Sequence, residues 1–329
     1  MSKQVMREHM RERFGSTTEH SMKPPLPNSL NIELNNYCNQ KCEFCGYHGK
    51  YASTNMRPSD LKIDFVKKIL NQAKKLGIGE KEVGFYLSGE AFLYKGLAEI
   101  IAYAKELGFK YTFLTTNGAL ADPELMKSVV DAGLDSIRFS VNAADREMYK
   151  EIHGTDDFDR VVDNIRFLDQ YKRENNLDIA TSLSCVVSKK NQEGLVEGVK
   201  RVFGELVDDI LFIPVMLYRL KNMDEVRRIH EIVNDDEAEV DPSYFCSILF
   251  NTMYINSDGF AIPCCNAPHF EYTTYDLNRK LDLEEAWYSE GYSKLRSIFV
   301  EKTDDKGTMC EDCLLRRKGA GRLSIEGTL

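Results

Sequence analysis

The sequence has no long apolar run. A membrane-spanning helix needs about 18 or more consecutive apolar residues, whereas the longest apolar stretch here, Ile210 to Tyr218, has about half that length and contains Pro214. Residues 1–15 are charged and lack the apolar centre of a secretory signal peptide. We therefore expect a cytoplasmic protein that does not contact a membrane.

The sequence is also short of positive charge. It has 43 Lys and Arg residues against 52 Asp and Glu residues, which gives a net charge of -9. Proteins that bind nucleic acids or anionic lipids need a basic face, so neither partner is expected. Wholesale disorder is excluded too, because 43% of the 329 residues are hydrophobic and 29% are charged, which is enough to build a core.

A regular alternation of strand-like and helix-like segments begins after a Pro-rich stretch at residues 24–27. Six short apolar runs are typical of strands; they are Leu30–Leu34, Val83–Leu87, Tyr111–Leu114, Ser136–Val141, Ile179–Val187 and Ile210–Val215. Between them, apolar residues recur at helical spacing, as at Leu125 and Val129. Alternating units of this kind predict a parallel sheet with right-handed crossovers. Six units are fewer than the eight of a closed barrel, so we expect an α/β fold with a partial (β/α)6 barrel.

The alternation stops after an acidic segment at residues 234–239. Two further strand-like pieces, Ile248–Ile255 and Phe260–Pro263, flank an Asn-Ser-Asp-Gly turn and predict a β-hairpin. One helix that carries Trp287 and Leu295 is predicted to follow. We therefore predict three parts, which are a loosely packed N-terminal tail (1–28), a partial barrel (29–238) and a small hairpin-and-helix module (239–329).

Nine cysteines are unexpected in a cytoplasmic chain, where disulfides rarely persist and an odd number cannot pair completely. Cys185 lies in an apolar segment and is interpreted as a packed core residue. The other eight fall into two groups, which suggests two metal sites. We call them the first cysteine group (Cys38, Cys42, Cys45) and the second cysteine group (Cys246, Cys264, Cys265, Cys310, Cys313).

The first cysteine group follows directly on the first predicted strand. Its spacings place three thiolates on one short loop, where they can hold three irons of a [4Fe–4S] cluster and leave the fourth iron open to a substrate or cofactor. The alternative is a zinc site with a further ligand such as His48. We prefer the open cluster, because zinc ribbons normally pair two Cys-x2-Cys knuckles and this half of the chain has one small group.

Cys-x3-Cys-x2-Cys after the first strand, with Phe44 before the last cysteine, resembles the radical S-adenosylmethionine (SAM) superfamily. Further motifs at the ends of later strands agree with the family pattern. Ser88 to Ala91 is similar to its Gly-Gly-Glu-Pro motif, with Ser in place of the first Gly and Ala in place of the Pro. Thr115 to Gly118 is similar to its Thr-Asn-Gly turn, and Ile137 to Val141 to the strand whose Ser touches the SAM ribose. The resemblance covers about residues 29–215.

The resemblance implies SAM as a cofactor, held through its amino and carboxylate groups by the open iron. Its reductive cleavage supplies a 5′-deoxyadenosyl radical that takes a hydrogen atom from the substrate. The first cysteine group then provides metal ligands. The implied cofactor-binding residues are Phe44, Ser88, Gly89, Glu90, Asn117 and Ser140. They are expected at the ends of successive strands, on the face where barrel ligands bind.

The second cysteine group surrounds the predicted hairpin, with Cys246 before it, Cys264 after it and a Cys-x2-Cys pair further on. Four thiolates can close a complete ligand set, and spacing alone leaves structural zinc open beside an iron–sulfur cluster. The segments from Asp258 to Cys265 and from Leu283 to Arg296 resemble the SPASM/twitch extension of radical SAM enzymes.

Full SPASM domains carry further cysteines after the Cys-x2-Cys pair, and residues 314–329 contain none. The resemblance therefore implies the shortened form with one auxiliary [4Fe–4S] cluster, as in the aminocyclitol dehydrogenase of butirosin biosynthesis. Its ligands would be Cys246, Cys264, Cys310 and Cys313. Cys265 either replaces Cys264 or is a packed thiol. A cluster with four protein ligands is not expected to bind substrate, and electron transfer is its expected task.

We predict a dehydrogenase-like radical SAM oxidoreductase that acts on a small hydroxylated substrate, such as a sugar, a sugar nucleotide or an aminocyclitol. The two [4Fe–4S] clusters and SAM are its expected cofactors, and flavodoxin or ferredoxin is the expected type of electron donor. Tyr218 and Arg219 are candidate substrate contacts, and His48 and His153 are candidate proton acceptors.

Two other reactions stay open at this point. One is epimerisation or cross-linking of a ribosomal peptide. Residues 1–28 are too few for the leader-binding domain that such enzymes often carry, although a separate chain can supply one. The other is redox-neutral sugar epimerisation, which needs a hydrogen donor such as Cys185 or Cys265.

Overall fold

Six parallel strands form the body of the sheet in the computed structural model, which describes residues 2–13, 20–53, 56–217, 221–230, 244–266, 272–311 and 313. The strands are β1 (Ser29–Ile32), β2 (Glu82–Phe85), β3 (Thr112–Thr116), β4 (Ser136–Ser140), β5 (Ala180–Val187) and β6 (Asp209–Pro214). Strands that follow one another in the chain are neighbours in the sheet, in the order β6-β5-β4-β3-β2-β1. Among the described strands β6 does not pair with β1, so the predicted partial barrel with an open side is confirmed.

Helices alternate with these strands and bury their apolar faces against them. They are α1 (Ser2–Arg13), α2 (Ile63–Leu76), α3 (Leu97–Glu106), α4 (Pro123–Asp131), α5 (Arg146–His153), α6 (Phe158–Glu174), α7 (Leu195–Phe203) and α8 (Met223–His230). Every residue of β1 and β2 is buried, as expected for a parallel sheet that is covered on both faces. No helix in the described ranges has the length and apolar character to cross a bilayer.

The start of α4 shows what the local pattern could and could not predict. Asp122 caps the helix by accepting a hydrogen bond from the Leu125 backbone N–H, and Pro123 occupies the first turn, as the sequence indicates. The predicted buried face is wrong at one position, because Leu125 is 41% exposed. Val129 is buried as expected, and the helix buries Met126 and Val130 in addition.

The N-terminal segment differs from the loosely packed tail that its composition predicts. Residues 2–13 form α1, and Met6 is buried against Tyr111 and Phe113. Arg7 donates from Nε to the carboxylate of Asp209 at 3.1 Å. Apolar burial and this ion pair fix the helix against the first residue of β6, which a composition argument could not detect.

The C-terminal module continues the sheet of the barrel. Strand β7 (Thr252–Ile255) lies parallel to β1, and β8 (Phe260–Ile262) and β9 (Tyr275–Asp276) follow as antiparallel neighbours. The predicted hairpin is therefore confirmed, but its first strand is shorter than expected. Ile248–Asn251 forms the short helix α9 instead.

Two helices, α10 (Leu283–Trp287) and α11 (Glu290–Val300), replace the single helix predicted in this module. Asp282 caps α10 through the Glu285 backbone N–H. The buried Trp287 donates from Nε1 to the carbonyl of Pro25 at 3.0 Å. The Pro-rich stretch before β1 therefore packs against the C-terminal module. Full burial of a large apolar side chain such as Trp287 contributes about 1.5–3 kcal/mol.

Candidate active site

The loop that carries the first cysteine group leaves the C-terminal end of β1 and is docked on the end of α5. The backbone N–H of Lys41 donates to the carbonyl of His153 at 3.1 Å, and that of Glu43 to the carbonyl of Ile152 at 2.9 Å. Gly49 closes the other side. A Cβ atom at this position would lie 2.3 Å from the Cys42 carbonyl oxygen, so only glycine fits.

The three thiols of this loop lie in an environment that suits a bound metal centre. Backbone N–H groups of Gln40 and His48 donate to the sulfurs of Cys38 and Cys45 at 3.5 and 3.4 Å. Burial raises the pKa of Cys38 to about 11 and the pKa of Cys42 well above its usual value, and repulsion between the thiolates adds to both shifts. A bound metal centre removes this penalty by neutralising the thiolates.

Glu90 points into the protein and organises the turn after β3. Its carboxylate accepts hydrogen bonds from Thr116 Oγ1 at 2.6 Å, the Asn117 backbone N–H at 2.8 Å and the Phe92 backbone N–H at 3.1 Å. Burial raises its pKa, and the hydrogen bonds oppose that shift. The structure therefore uses this carboxylate to hold two of the predicted motifs together.

Asn117 brings the turn after β3 to the first cysteine group. Its Nδ2 lies 2.8 Å from Asn39 Oδ1 and 3.7 Å from the sulfur of Cys38. The next residue, Gly118, has a φ of 78°, a left-handed conformation that favours glycine. The predicted Thr-Asn-Gly turn thus lies directly beside the cysteine loop.

The Ser88-Gly89 segment is held by a carboxylate that the sequence did not single out. Glu33, the residue after β1, accepts hydrogen bonds from the Ser88 backbone N–H at 2.9 Å and from the Ser88 hydroxyl. Its other oxygen accepts from the Ser257 backbone N–H, in the hairpin turn, at 3.0 Å. Gly89 packs so closely that a Cβ atom would lie 2.2 Å from the Asn35 carbonyl oxygen. Glu33 therefore joins the barrel motif to the C-terminal module.

The two remaining predicted cofactor contacts lie at neighbouring strand ends. Ser140 is the last residue of β4, is half-buried and faces Ser184 across the sheet. Phe44 meets His230 edge to face, with ring centroids 5.9 Å apart, and packs in a small apolar cluster with Val215. Phe44 thus lies at the C-terminal ends of β5 and β6.

The candidate proton acceptors have different surroundings. His153 is buried, both ring nitrogens have partners, and burial lowers its pKa to about 3. It does not fit a base that takes a proton from a substrate. His48 Nε2 lies 3.1 Å from the Ser88 carbonyl oxygen, and burial lowers its pKa as well. Tyr218 and Arg219 lie outside the described residues.

Four cysteines of the second cysteine group lie around Tyr244. Burial raises the pKa of Tyr244, and so do Cys246, Cys264, Cys310 and Cys313, which all lie within its electrostatic range. These are the four ligands that the resemblance implies.

Cys265 lies close to Cys246 and Cys264 of the same group. Its thiol forms a hydrogen bond with the thiol of Cys264, and this hydrogen bond together with burial raises the pKa of Cys264. Cys185 is fully buried inside the barrel core, as its apolar segment predicts.

A buried arginine supports this second site. The backbone N–H groups of Ile248 and Leu249 donate to the thiol of Cys246, and Arg296 Nε donates to the Leu249 carbonyl at 3.1 Å. Arg296 is fully buried and lies 4.1 Å from the ring of Trp287. Among the described residues its Nη2 has no hydrogen-bond partner. Arg296 therefore braces α9, whose first residues donate to the thiol of Cys246.

No three Cys, His, Asp or Glu side chains within the described ranges are arranged to hold a single metal ion. The thiols of the first cysteine group nevertheless lie within electrostatic range of one another.

Comparison with known families agrees with this fold and pair of sites. The model of the radical SAM superfamily matches residues 32–200, and the SPASM iron–sulfur cluster-binding domain matches residues 246–314. The chain belongs to the radical SAM superfamily and carries a C-terminal SPASM domain. SAM and a [4Fe–4S] cluster are therefore its cofactors, and the SPASM domain adds further iron–sulfur binding.

Sequence relatives include a protein named "Probable GTP 3′,8-cyclase" from Saccharolobus islandicus strain M.14.25. It is 32% identical over 232 residues, which are 68% of this chain and 67% of the relative. A protein of the same name from Sulfolobus acidocaldarius is 31% identical over 186 residues, which cover 56% of this chain and 55% of the relative.

Solved structures with this fold include Streptococcus suis SuiB bound to SAM, with a TM-score of 0.63, 22% identity and coverage of 95% of this chain and 76% of SuiB. Another is anSMEcpe with bound SAM, with a TM-score of 0.61, 18% identity and 88% coverage of both chains. BtrN, a radical SAM enzyme of butirosin biosynthesis, matches in an open conformation with a TM-score of 0.52, 12% identity and coverage of 90% and 97%. These identities show a common fold.

Proposed function

We propose that this protein oxidises a small hydroxylated molecule by radical SAM chemistry and uses an auxiliary [4Fe–4S] cluster as electron acceptor. The observation that supports the proposal is the second cysteine group, in which four thiols lie close enough to Tyr244 to raise its pKa. Four thiolates complete the ligand set of a cluster and leave no iron open to substrate. Such a cluster suits electron transfer better than substrate binding.

In this proposal the first cysteine group holds the SAM cluster. The chemistry supplied when cluster and SAM are bound is reductive cleavage of SAM to methionine and a 5′-deoxyadenosyl radical, which removes a hydrogen atom from the substrate. The roles proposed for the protein are placement and exclusion of water. Gly89 permits close approach of the backbone, Asn117 lies against Cys38, and Phe44 and Ser140 lie at neighbouring strand ends.

In the proposed oxidation, a carbinol carbon would lose its hydrogen atom to the 5′-deoxyadenosyl group, and the remaining substrate radical would lose one proton and one electron to become a ketone. The auxiliary cluster would supply the acceptor for that electron, and a reduced protein such as flavodoxin or ferredoxin would supply the electron that cleaves SAM. The barrel is assigned to residues 29–238 and the auxiliary module to residues 239–329.

A second candidate comes from the relatives named as GTP 3′,8-cyclases, which are 32% identical over 232 residues. A cyclisation of this type would remove the hydrogen atom from C3′ of GTP, join C3′ to C8 and take up one electron and one proton. The product would have the same mass as GTP. The overall fold resembles SuiB at 22% identity, which supports the architecture and leaves peptide modification without evidence of its own.

Product mass separates these reactions. The anaerobically reconstituted protein would be incubated with SAM, a reductant and, in separate samples, aminocyclitols, sugar nucleotides and GTP. Oxidation predicts 5′-deoxyadenosine together with a product lighter by two hydrogen atoms from a hydroxylated substrate. Epimerisation predicts unchanged mass in light water and one deuterium gained in heavy water. A GTP isomer, formed while no hydroxylated substrate turns over, would replace the oxidation proposal by cyclisation.

A further inference from the structure

His153 is a buried histidine that the chemistry above does not use. It is the last residue of α5 and is 1% exposed. The ring of Tyr149 stacks on it, with centroids 4.1 Å apart and planes 13° apart. Because the cysteine loop donates backbone hydrogen bonds to the end of the same helix, the imidazole and the loop are held as one unit.

The hydrogen bonds of His153 define which ring nitrogen carries the proton. The backbone N–H of Asn142 donates to Nε2 at 3.0 Å. A backbone N–H can only donate, so Nε2 must present its lone pair. The ring proton of the neutral imidazole therefore lies on Nδ1. Asn142 is itself held, because its side-chain oxygen accepts from the Val186 N–H at 2.7 Å.

Nδ1 of His153 lies between two acceptors. It is 2.9 Å from Gln40 Oε1 and 3.4 Å from the sulfur of Cys42. Gln40 is fixed from behind, since its Nε2 donates to the Tyr149 hydroxyl at 2.6 Å. When Cys42 is a metal ligand its own proton is gone, and its sulfur then only accepts. The Nδ1–H group is in place to donate to it.

We propose that His153 is a positioning residue that donates from Nδ1 to the Cys42 thiolate and raises the reduction potential of the SAM cluster. Reduction adds one negative charge to the cluster and its sulfurs. An N–H donor to a ligand sulfur is therefore stronger in the reduced state, and it favours electron uptake. Gln40 competes for the same proton and weakens the effect. The proposal rests on the assignment of Cys42 as a cluster ligand.

The test is a redox titration of the full, reconstituted protein followed by electron paramagnetic resonance. The signal that changes when SAM is added belongs to the SAM cluster and separates it from the auxiliary cluster. His153→Leu removes the donor, and His153→Asn restores a donor amide near the position of Nδ1. Gln40→Met removes the competing acceptor in a side chain of similar length. Iron is counted in every variant.

At a fixed potential, His153→Leu should lower the ratio of reduced to oxidised SAM cluster about tenfold, which is 59 mV for one electron. His153→Asn should recover most of this loss, and Gln40→Met should shift the ratio in the opposite direction. The proposal is overturned if His153→Leu leaves the ratio unchanged at full iron content, or if the Leu, Asn and Met variants all shift it the same way. A SAM-responsive cluster that persists in Cys42→Ala would instead refute the ligand assignment.

Discussion

Removal of the Glu33 carboxylate should loosen two distant segments at once. In Glu33→Ala the backbone N–H groups of Ser88 and Ser257 lose acceptors that lie at 2.9 and 3.0 Å. A buried N–H without a partner costs about 1–3 kcal/mol, so the two together cost about 2–6 kcal/mol. Loss of a buried carboxylate, whose pKa is raised by burial, offsets part of this cost.

Hydrogen–deuterium exchange of the reconstituted protein measures this effect directly. Peptides that cover residues 86–90 and 255–259 should exchange at least about tenfold faster in Glu33→Ala, since about 1.4 kcal/mol corresponds to a factor of ten. Glu33→Gln keeps one acceptor oxygen, so one of the two segments should remain protected. Glu99→Ala is the matched control, because this carboxylate is 53% exposed in a surface ion pair with Lys67.

Three results would refute this prediction. If both segments keep their wild-type exchange rates in Glu33→Ala, the carboxylate does not stabilise them. If Glu33→Gln loosens both segments as much as Glu33→Ala, the two oxygens do not serve separate N–H groups. Faster exchange in Glu99→Ala would show that any lost surface charge has the same effect.

The remaining predictions concern iron and pH. Wild-type protein should hold about eight irons after anaerobic reconstitution. Ala at all three positions of the first cysteine group should leave about four irons and abolish SAM cleavage. Wild-type protein that binds zinc and no iron would contradict the assignment of both clusters. Ala at Cys310 and Cys313 should leave SAM cleavage measurable and abolish oxidation, with circular dichroism as the folding control, because small metal modules can depend on their metal to fold; product at the wild-type rate would refute the acceptor role. Iron analysis should show loss of auxiliary iron in Cys264→Ala and retention in Cys265→Ala, and the reverse pattern would exchange their roles. Burial raises the pKa of Glu33 above 4.5, so protonated Glu33 stabilises the fold fully below pH 4.5, and this stabilisation is lost as pH rises through the raised pKa. The free energy of unfolding should therefore fall over this pH range in the wild type, and Glu33→Gln should remove the part of the fall that is due to Glu33.

Local signals predicted the barrel well because parallel strands buried on both faces appear as continuous apolar runs. All six predicted strands overlap β1 to β6, and the Asp122-Pro123 start of α4 is confirmed. The sequence predicted less accurately which face of a helix is buried. Leu125 and Val129 share a face by spacing alone, yet the neighbouring helices decide which residues are covered, and Leu125 remains exposed.

The contacts that organise the site depend on tertiary register, and the sequence could not reveal them. Glu33 is separated from Ser88 by 55 residues and from Ser257 by 224 residues. Its second contact exists because β7 pairs in parallel with β1, a pairing that no local pattern indicates. His153 is similar, since it contacts Cys42 across 111 residues. The available signal was a charged residue inside an apolar strand run at Glu33, which often marks a buried role.

The same register fits the proposed reaction, in which both cysteine groups take part. Tyr47 lies two residues after Cys45, and its hydroxyl donates to the carbonyl of Cys265 at 3.4 Å. Ser59 reaches the neighbouring turn, where its hydroxyl donates to the Ser257 carbonyl at 3.1 Å. Together with Glu33, these contacts tie the loop of the first group to the hairpin of the second. An electron acceptor must keep a constant distance from the carbon that is oxidised, and a module hydrogen-bonded to the cysteine loop meets that requirement better than one joined by a linker alone.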